Sequence, residues 1–354
     1  MDKFKQLILQ CRSGFEKEAA AEITACLSRA GVYGYCQLVD GQGYVSFLGA
    51  EGDALYQAIE NLPFDELIYI RQWTLATDWL TLEREDRIGQ LWAELDDMPG
   101  CAEVWVEYPD TTDGRELATF CRKFGSALAQ RLKREKWLRP AKAGKGWRLQ
   151  LFALSGDKMA LGIAPLNNAS PWPQGIPRLK FPKQAPSRST LKLEEAWHWF
   201  VPRDEWDTRL TGGRAVDLGA APGGWTWQLV QRGMFVSAVD NGPMNDDLME
   251  SGQVTHCKED GYLFVPEKTV DWMVCDMVDK PIRTAAMVVE WAVNGYCREA
   301  IFNLKLPMKQ RYKETERCLQ HIESELKKQG LHWELRAKQL YHDREEITCH
   351  LRLL

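Results

Sequence analysis

Val216-Asp217-Leu218-Gly219-Ala220-Ala221-Pro222-Gly223-Gly224-Trp225-Thr226 joins the end of an apolar strand to a glycine-lined turn and the start of a helix. Residues 215–218 read as a short buried strand. Gly219, Gly223 and Gly224 remove side chains where backbone must approach a ligand, and Pro222 suits a first helical turn, where its missing N–H has no partner. The glycine spacing is G-x-x-x-G-G rather than G-x-G-x-x-G, so the turn does not present a dinucleotide pyrophosphate with the amides it requires. Asp217, just before the turn, repels a pyrophosphate and favours a cation. S-adenosyl-L-methionine carries such charge on its sulfonium and α-ammonium, and Asp217, Gly219, Ala221, Pro222, Gly223, Gly224 and Trp225 are read as its candidate binding turn.

Working outward, 354 residues exceed one ordinary core and predict two or three domains. Charged residues at 27% and hydrophobic residues at 45% fit a soluble globular chain. The start, Met1 to Lys5, leads into too few apolar positions for a signal peptide, and no run approaches a membrane span, so the expectation is a cytoplasmic protein without membrane partners. The 10 cysteines include no C-x-x-C pair, and the 6 histidines are scattered singly after residue 197. Reduced thiols and no metal site are expected.

A net charge of -5 argues against coating nucleic acid everywhere, but the distribution is uneven. Between Arg122 and Arg148 lie ten basic residues (122, 123, 131, 133, 134, 136, 139, 142, 145, 148) and one acid, Glu135. Arg178, Lys180, Lys183, Arg188 and Lys192 follow with no acid among them. Arg122, Lys123, Arg131, Lys133, Arg134 and Lys136, with Arg178, Lys180, Lys183 and Arg188, are the candidate RNA contacts, and Trp137 and Trp147 candidate stacking surfaces. A solvated helix face is the alternative for the first patch.

Residues 1–76 read as β-α-β-β-α-β, the order of a ferredoxin-like unit. A second small α/β module occupies 77–168, with a long basic helix near 115–137. Six prolines between 165 and 186 (165, 171, 173, 177, 182, 186), five of them within 169–186, mark that stretch as a stiff linker. From 187 to 354 strands and helices alternate as in a doubly wound, Rossmann-like sheet, with seven strands expected at 215–219, 235–240, 254–257, 270–276, 299–305, 333–339 and 346–353.

In such a sheet, ligands bind beyond the carboxyl ends of the strands. Asp240 closes one strand, 23 residues after Asp217, where an acid can bind ribose hydroxyls. Asp260 is placed to accept from an adenine amino group. Asp276 ends Trp272-Met273-Val274-Cys275, and Lys305 ends Ala300-Ile301-Phe302-Asn303-Leu304. With Lys192 and Glu346 they form a candidate catalytic Lys-Asp-Lys-Glu group. A sulfonium methyl is already activated, so a protein need only align and deprotonate a hydroxyl acceptor. Lys305 is the candidate base, with Asp276 and Glu346 orienting the lysines and the hydroxyl.

Asp217 to Thr226, Asp276, Lys305-Leu306-Pro307 and Ser189-x-x-Lys192-Leu193 resemble the FtsJ/RrmJ-type RNA ribose 2'-O-methyltransferases over residues 185–354, which adds Ser189 and Asp276 to the expected cofactor site. The amino-terminal half is similar to a ferredoxin-like unit followed by a THUMP RNA-binding module. The combination, with Pro177-Arg178-Leu179-Lys180-Phe181-Pro182, is similar to the family of ribosomal RNA large subunit methyltransferase M. The resemblance implies 2'-O-methylation of a cytidine in bacterial 23S rRNA, in the peptidyl-transferase region, with that RNA or a large-subunit precursor as partner. Thr348 stands where related enzymes usually carry an aromatic residue, two after the catalytic glutamate, which keeps Glu345 beside Glu346 as the fourth group. Oligomeric state stays open.

Two rivals are weighed. An RNA base methyltransferase acting on an exocyclic amine would want Asn/Asp-Pro-Pro-aromatic after the fourth strand, where Asp276-Met277-Val278-Asp279 stands, and cytosine C5 chemistry would want a Pro-Cys nucleophile, which the chain lacks. A methyltransferase-fold ribosome-assembly factor without catalysis would have no use for Lys192, Asp276 and Lys305.

Overall fold

The computed structural model describes residues 3–96, 98–141 and 144–354. Lys142, counted in the basic run, and Met1 and Asp2 of the amino terminus lie outside them. The chain forms two compact units that divide between Ile176 and Pro177.

The amino-terminal unit begins β1 (Gln6–Cys11), α1 (Glu16–Arg29), β2 (Tyr35–Gln37), β3 (Tyr44–Leu48), α2 (Gly52–Asn61) and β4 (Ile70–Ala76), the expected β-α-β-β-α-β order. It continues through β5 (Leu80–Thr81), α3 (Arg87–Glu94), β6 (Cys101–Glu107), the one-turn α4 (Thr112–Arg115), α5 (Ala118–Arg134), β7 (Trp147–Ala153) and β8 (Lys158–Pro165). The strands make one sheet, ordered β2-β3-β1-β4-β8-β7-β6 with β5 on β8, so the two modules read from the sequence share hydrogen bonds across Leu75↔Ile163 and Ala76↔Gly162. A Cβ on residue 162 would lie 2.3 Å from the Leu75 carbonyl oxygen, so only glycine lets β8 come this close. α5 buries Cys121, Phe124, Leu128 and Leu132 at helical spacing and turns its charges outward.

The proline-rich stretch divides. Its regular structure is one 3-10 turn, Pro173–Gly175. Asn168 donates from Nδ2 to the carbonyls of Ile59 and Leu62 and accepts from the Phe64 amide, while Arg148 donates to the Ser170 carbonyl at 3.1 Å and Glu107 accepts from the Gln174 amide. Residues 168–174 are thereby fastened into the amino-terminal unit, and from Pro177 the chain belongs to the second.

The second unit contains α6 (Thr190–Phe200), α7 (Trp206–Arg209), β9 (Arg214–Leu218), α8 (Gly224–Gln231), β10 (Phe235–Val239), α9 (Asp246–Met249), β11 (Val254–Cys257), β12 (Val270–Cys275), α10 (Pro281–Val293), β13 (Cys297–Lys305), α11 (Arg311–Lys328), β14 (Trp333–Lys338) and β15 (Glu346–Leu353). Its sheet has the seven expected strands in the order β11-β10-β9-β12-β13-β15-β14. β15 runs antiparallel to both its neighbours. The order departs in opposite directions from β9 and β12, which puts a topological switch point beyond Leu218 and Cys275, where doubly wound sheets open a ligand crevice. Leu193, Trp197, Trp225, Leu229 and Trp272 belong to the core beside it.

Candidate active site

Four elements meet at the carboxyl edge of this sheet. Lys192 comes from the first turn of α6, Asp276 follows β12, Lys305 ends β13, and Glu346 opens β15 directly opposite Lys305 in the antiparallel register. Lys192 Nζ donates to Glu346 Oε1 at 2.5 Å and to Asp276 Oδ2 at 3.2 Å. Lys305 Nζ donates to Asp276 Oδ1 at 2.5 Å and lies 3.8 Å from Glu346 Oε2. Two ammonium and two carboxylate groups therefore balance within one cluster, whose members are 8% to 19% exposed. Burial by itself would neutralise each of them. Instead, burial lowers Lys192 less than its carboxylate partners, Asp276 first and then Glu346, raise it, so it stays an ammonium. Burial likewise pushes Asp276 up, but Lys192 and Lys305 together hold it below its ordinary value.

Of the two glutamates the sequence left in competition, Glu346 joins this cluster. Glu345 is exposed and accepts from Arg311 at 2.7 Å.

Asp217 lies on β9, the strand beside β12, and is fully buried. Burial pushes its carboxyl up to about 7, against the pull of the Thr226 hydrogen bonds and with the Asp276 and Asp240 carboxylates adding to the rise. Thr226 Oγ1 donates to it at 2.6 Å. A buried carboxylate whose charged neighbours are also acids fits a cationic ligand group.

The turn after Asp217 departs from the sequence reading in two ways. Pro222 lies ahead of the helix, in a cis peptide with Ala221, because Gly223, with φ 114°, takes the N-cap and α8 begins at Gly224. The glycines also answer to protein neighbours. A Cβ at Gly223 would meet Leu248 at 2.5 Å, and one at Gly224 would meet the Ser189 hydroxyl at 2.3 Å.

Ser189 and Trp225 are part of the same clasp. The Trp225 indole N–H donates to the Ser189 carbonyl at 2.9 Å, and Thr190 Oγ1 donates to the Gly224 carbonyl at 2.8 Å. Trp225 is a core residue, 3% exposed, and its side chain is taken up by this clasp. Asp240 accepts from the Ala221 amide at 3.0 Å and the Gly242 amide at 2.7 Å, bracing the turn from the adjacent strand. Asp260 is exposed and accepts from the Tyr262 amide, as a turn residue does. Among the described residues no group of three His, Cys, Asp or Glu is placed to hold a metal ion.

In the amino-terminal unit, Arg122, Lys123, Lys133, Arg134 and Lys136 are exposed on or just after α5. Arg131 is only half-exposed, its guanidinium 3.1 Å from Glu135 and over the Trp92 ring. Two aromatic or basic members of the run are taken out of it. Trp147 packs on Tyr56 at 5.0 Å between centroids, and Arg148 is buried against Trp105 and paired with Glu103 at 2.7 Å, because both lie on the covered strand β7. In the second unit Arg178, Lys180, Lys183 and Arg188 are exposed ahead of α6.

Sequence reasoning missed Asn303 and Asp343, and noted Thr348 only as a departure from the expected pattern; all three stand behind Asp276. Nothing in the spacing of Asn303 and Asp343 marks them. Asn303 and Thr348 become neighbours only through the β13–β15 register.

The chain matches the RlmM ferredoxin-like domain over residues 4–74, the amino-terminal domain of ribosomal RNA large subunit methyltransferase M over 86–164, and the FtsJ-like methyltransferase domain over 185–310. It is 53% identical over 349 residues to ribosomal RNA large subunit methyltransferase M of Stutzerimonas stutzeri (strain A1501), covering 98% of this chain and 99% of that one. With the corresponding protein of Cellvibrio japonicus (strain Ueda107) it shares 51% identity over 350 residues, again with 98% and 99% covered. A methyltransferase sheet with a Lys-Asp-Lys-Glu cluster at its switch point and a match along nearly the whole length lead to one assignment: the chain belongs to the ribosomal RNA large subunit methyltransferase M family.

Proposed function

We propose that this chain transfers a methyl group from S-adenosyl-L-methionine to the ribose 2'-hydroxyl of a cytidine in bacterial 23S rRNA. The observation that carries the chemistry is the closed Lys192–Asp276–Lys305–Glu346 cluster beside the buried Asp217. S-adenosyl-L-methionine, when bound, supplies a methyl already activated by positive charge on sulfur. Asp217 would hold a cationic part of it, on the turn braced by Asp240 and clasped by Ser189.

Lys305 removes the hydroxyl proton, for which its amine must be neutral. Lys192 makes that tolerable. It already contacts both carboxylates and stays charged, so Asp276 and Glu346 each keep a cationic partner, one positive charge against two negative, when Lys305 gives up its proton. Asp276 Oδ1 then holds the Lys305 nitrogen in place. Residues 77–168, with the basic helix α5, and the exposed basic residues 178–188 serve to hold the RNA so that one unpaired or flipped nucleotide reaches the cluster. Incubation with labelled S-adenosyl-L-methionine and unmodified ribosomal RNA, followed by digestion to nucleosides, tests the reading. Label in 2'-O-methylcytidine is expected, whereas label on a base, or none, overturns it.

Replacing Lys133, Arg134 and Lys136 by Ala is expected to weaken RNA binding and to flatten its salt dependence by up to about three phosphate contacts, at ~0.7 to 0.9 of slope each. Adding Arg131→Ala changes the slope less, because Glu135 already pairs that guanidinium. Titrations at several salt concentrations measure this, and an unchanged slope returns α5 to a plain solvated face.

A further inference from the structure

Behind the cluster lies a line of buried groups whose hydrogen-bond directions can be worked out from donor count alone. Asn303, Thr348 and Asp343 are at most 1% exposed. Asn303 Nδ2 donates to Asp276 Oδ1 at 2.7 Å, an orientation forced because the opposite amide flip would set oxygen against carboxylate. Asn303 Oδ1 therefore faces Thr348 Oγ1 at 2.8 Å and requires a donor. The threonine hydroxyl has one proton, and it is needed there. Yet Thr348 Oγ1 also lies 3.0 Å from each oxygen of Asp343. Two acceptors cannot share that distance without a proton, so the proton must come from Asp343. The Leu340 amide donates to Asp343 Oδ2 at 2.9 Å, which leaves Oδ1 to carry it.

We propose that Asp343 holds a fixed proton and, through Thr348 and Asn303, forms a one-way hydrogen-bond chain that aims the Asp276 carboxylate at Lys305. The chain reads Asp343 to Thr348 to Asn303 to Asp276, each donating to the next. The surroundings favour the neutral acid. Burial raises the Asp343 carboxyl well above its ordinary value, Glu346 and Glu195 face it and add to the rise, and Lys192 opposes them. A charged Asp343 would also upset the two-against-two balance of the cluster. The three residues act through Asp276 and are positioning residues. Thr348 is the link that makes the line continuous.

The inference rests on the assignment of Lys305 and Asp276 to methyl transfer, so its test has one arm independent of that assignment. The infrared difference spectrum between the full chain and Asp343→Asn at neutral pH is expected to contain the C=O stretch of a protonated carboxyl. Its absence overturns the proposal whether or not the protein transfers methyl groups. In single-turnover transfer, Asp343→Asn keeps the same donor and acceptor pattern and is expected within about threefold of the parent. Thr348→Val leaves the Asn303 oxygen unpaired and is expected to lower the rate constant about tenfold, with RNA and cofactor affinities unchanged. Thr348→Ser restores the hydroxyl and the rate. A Thr348→Val protein as fast as the parent, or an Asp343→Asn protein slowed more than tenfold, refutes the chain. A parent that transfers no methyl refutes the proposed function instead, and the infrared arm still decides this one.

Discussion

Lys305→Ala is expected to slow single-turnover methyl transfer by about 10²- to 10⁴-fold, the ordinary worth of a positioned general base. Cofactor and RNA affinities should stay within a few fold, because a base acts in the transition state rather than in ground-state binding. The substitution also removes one of two ammonium groups from a cluster with two carboxylates, so charge and basicity must be separated. Lys305→Arg does this. A guanidinium keeps the charge beside Asp276 but cannot accept a proton at working pH. If Lys305 is the base, the Arg variant is about as slow as Ala. A rate within about tenfold of the parent means that Lys305 supplies only charge and that deprotonation is done elsewhere. Rapid-quench measurements with saturating RNA and cofactor read the chemical step directly.

The second large effect is expected at Asp217. With its carboxyl pushed up to about 7 by burial, the free protein holds this residue about half protonated near neutrality. A cationic ligand group needs the ionised form, so cofactor affinity rises as pH increases through about 7, with one proton released on binding below it, and levels off above. Asp217→Asn removes both the pH dependence and the charge, and is expected to weaken binding by roughly 10- to 100-fold, the range for a buried hydrogen bond to a charged group. Calorimetry in buffers of different ionisation enthalpy, between about pH 6 and 8.5, measures affinity and proton release together. A pH-independent affinity in the parent sinks the assignment.

The same residue makes an opposite prediction for folding. Because the folded pKa is raised from 3.8 to about 7, the carboxyl's contribution to stability is fully present below the unfolded value and is lost as pH rises through the folded one. The cofactor-free Asp217→Asn protein should therefore gain in melting temperature over the parent as pH increases from about 4 to about 7, and the gain should level off above that. A variant that binds worse and melts higher separates a ligand role from a packing role.

The sheet of the second unit was readable because most of its strands are short apolar runs with a charged residue at the carboxyl end: Asp217 is the penultimate residue of β9, Asp276 directly follows β12 and Lys305 ends β13. Lys192 and Glu346 were readable for a weaker reason, as the remaining charges beside apolar runs that supplied a complementary set. Where reading stopped, the cause is physical. Asn303 sits inside an apolar strand, and only pairing across β13 and β15 sets it against Thr348. Arg148 looks like its basic neighbours in the sequence, yet lying on a covered strand it packs against Trp105 and Glu103 instead of meeting solvent. Pro222 carried a sound helix-start signal, but the left-handed Gly223 behind it delays the helix by two residues. Strand register and backbone handedness are long-range or conformational properties, and residue type reports them poorly.

The close approach of β8 to β4 at Gly162 has a consequence for the interchangeability of parts. Two modules whose strands bond to one another are not separable cassettes. A chimera spliced between the family's ferredoxin-like and second modules, near residue 76, would carry a seam through a hydrogen-bonded ladder and would have to reproduce both sides of it. A graft at 176/177 crosses no strand pair and leaves each sheet whole. The amino-terminal unit is therefore exchangeable only as one block of about half the chain, and drift at position 162 is policed by the backbone of a strand nearly ninety residues away.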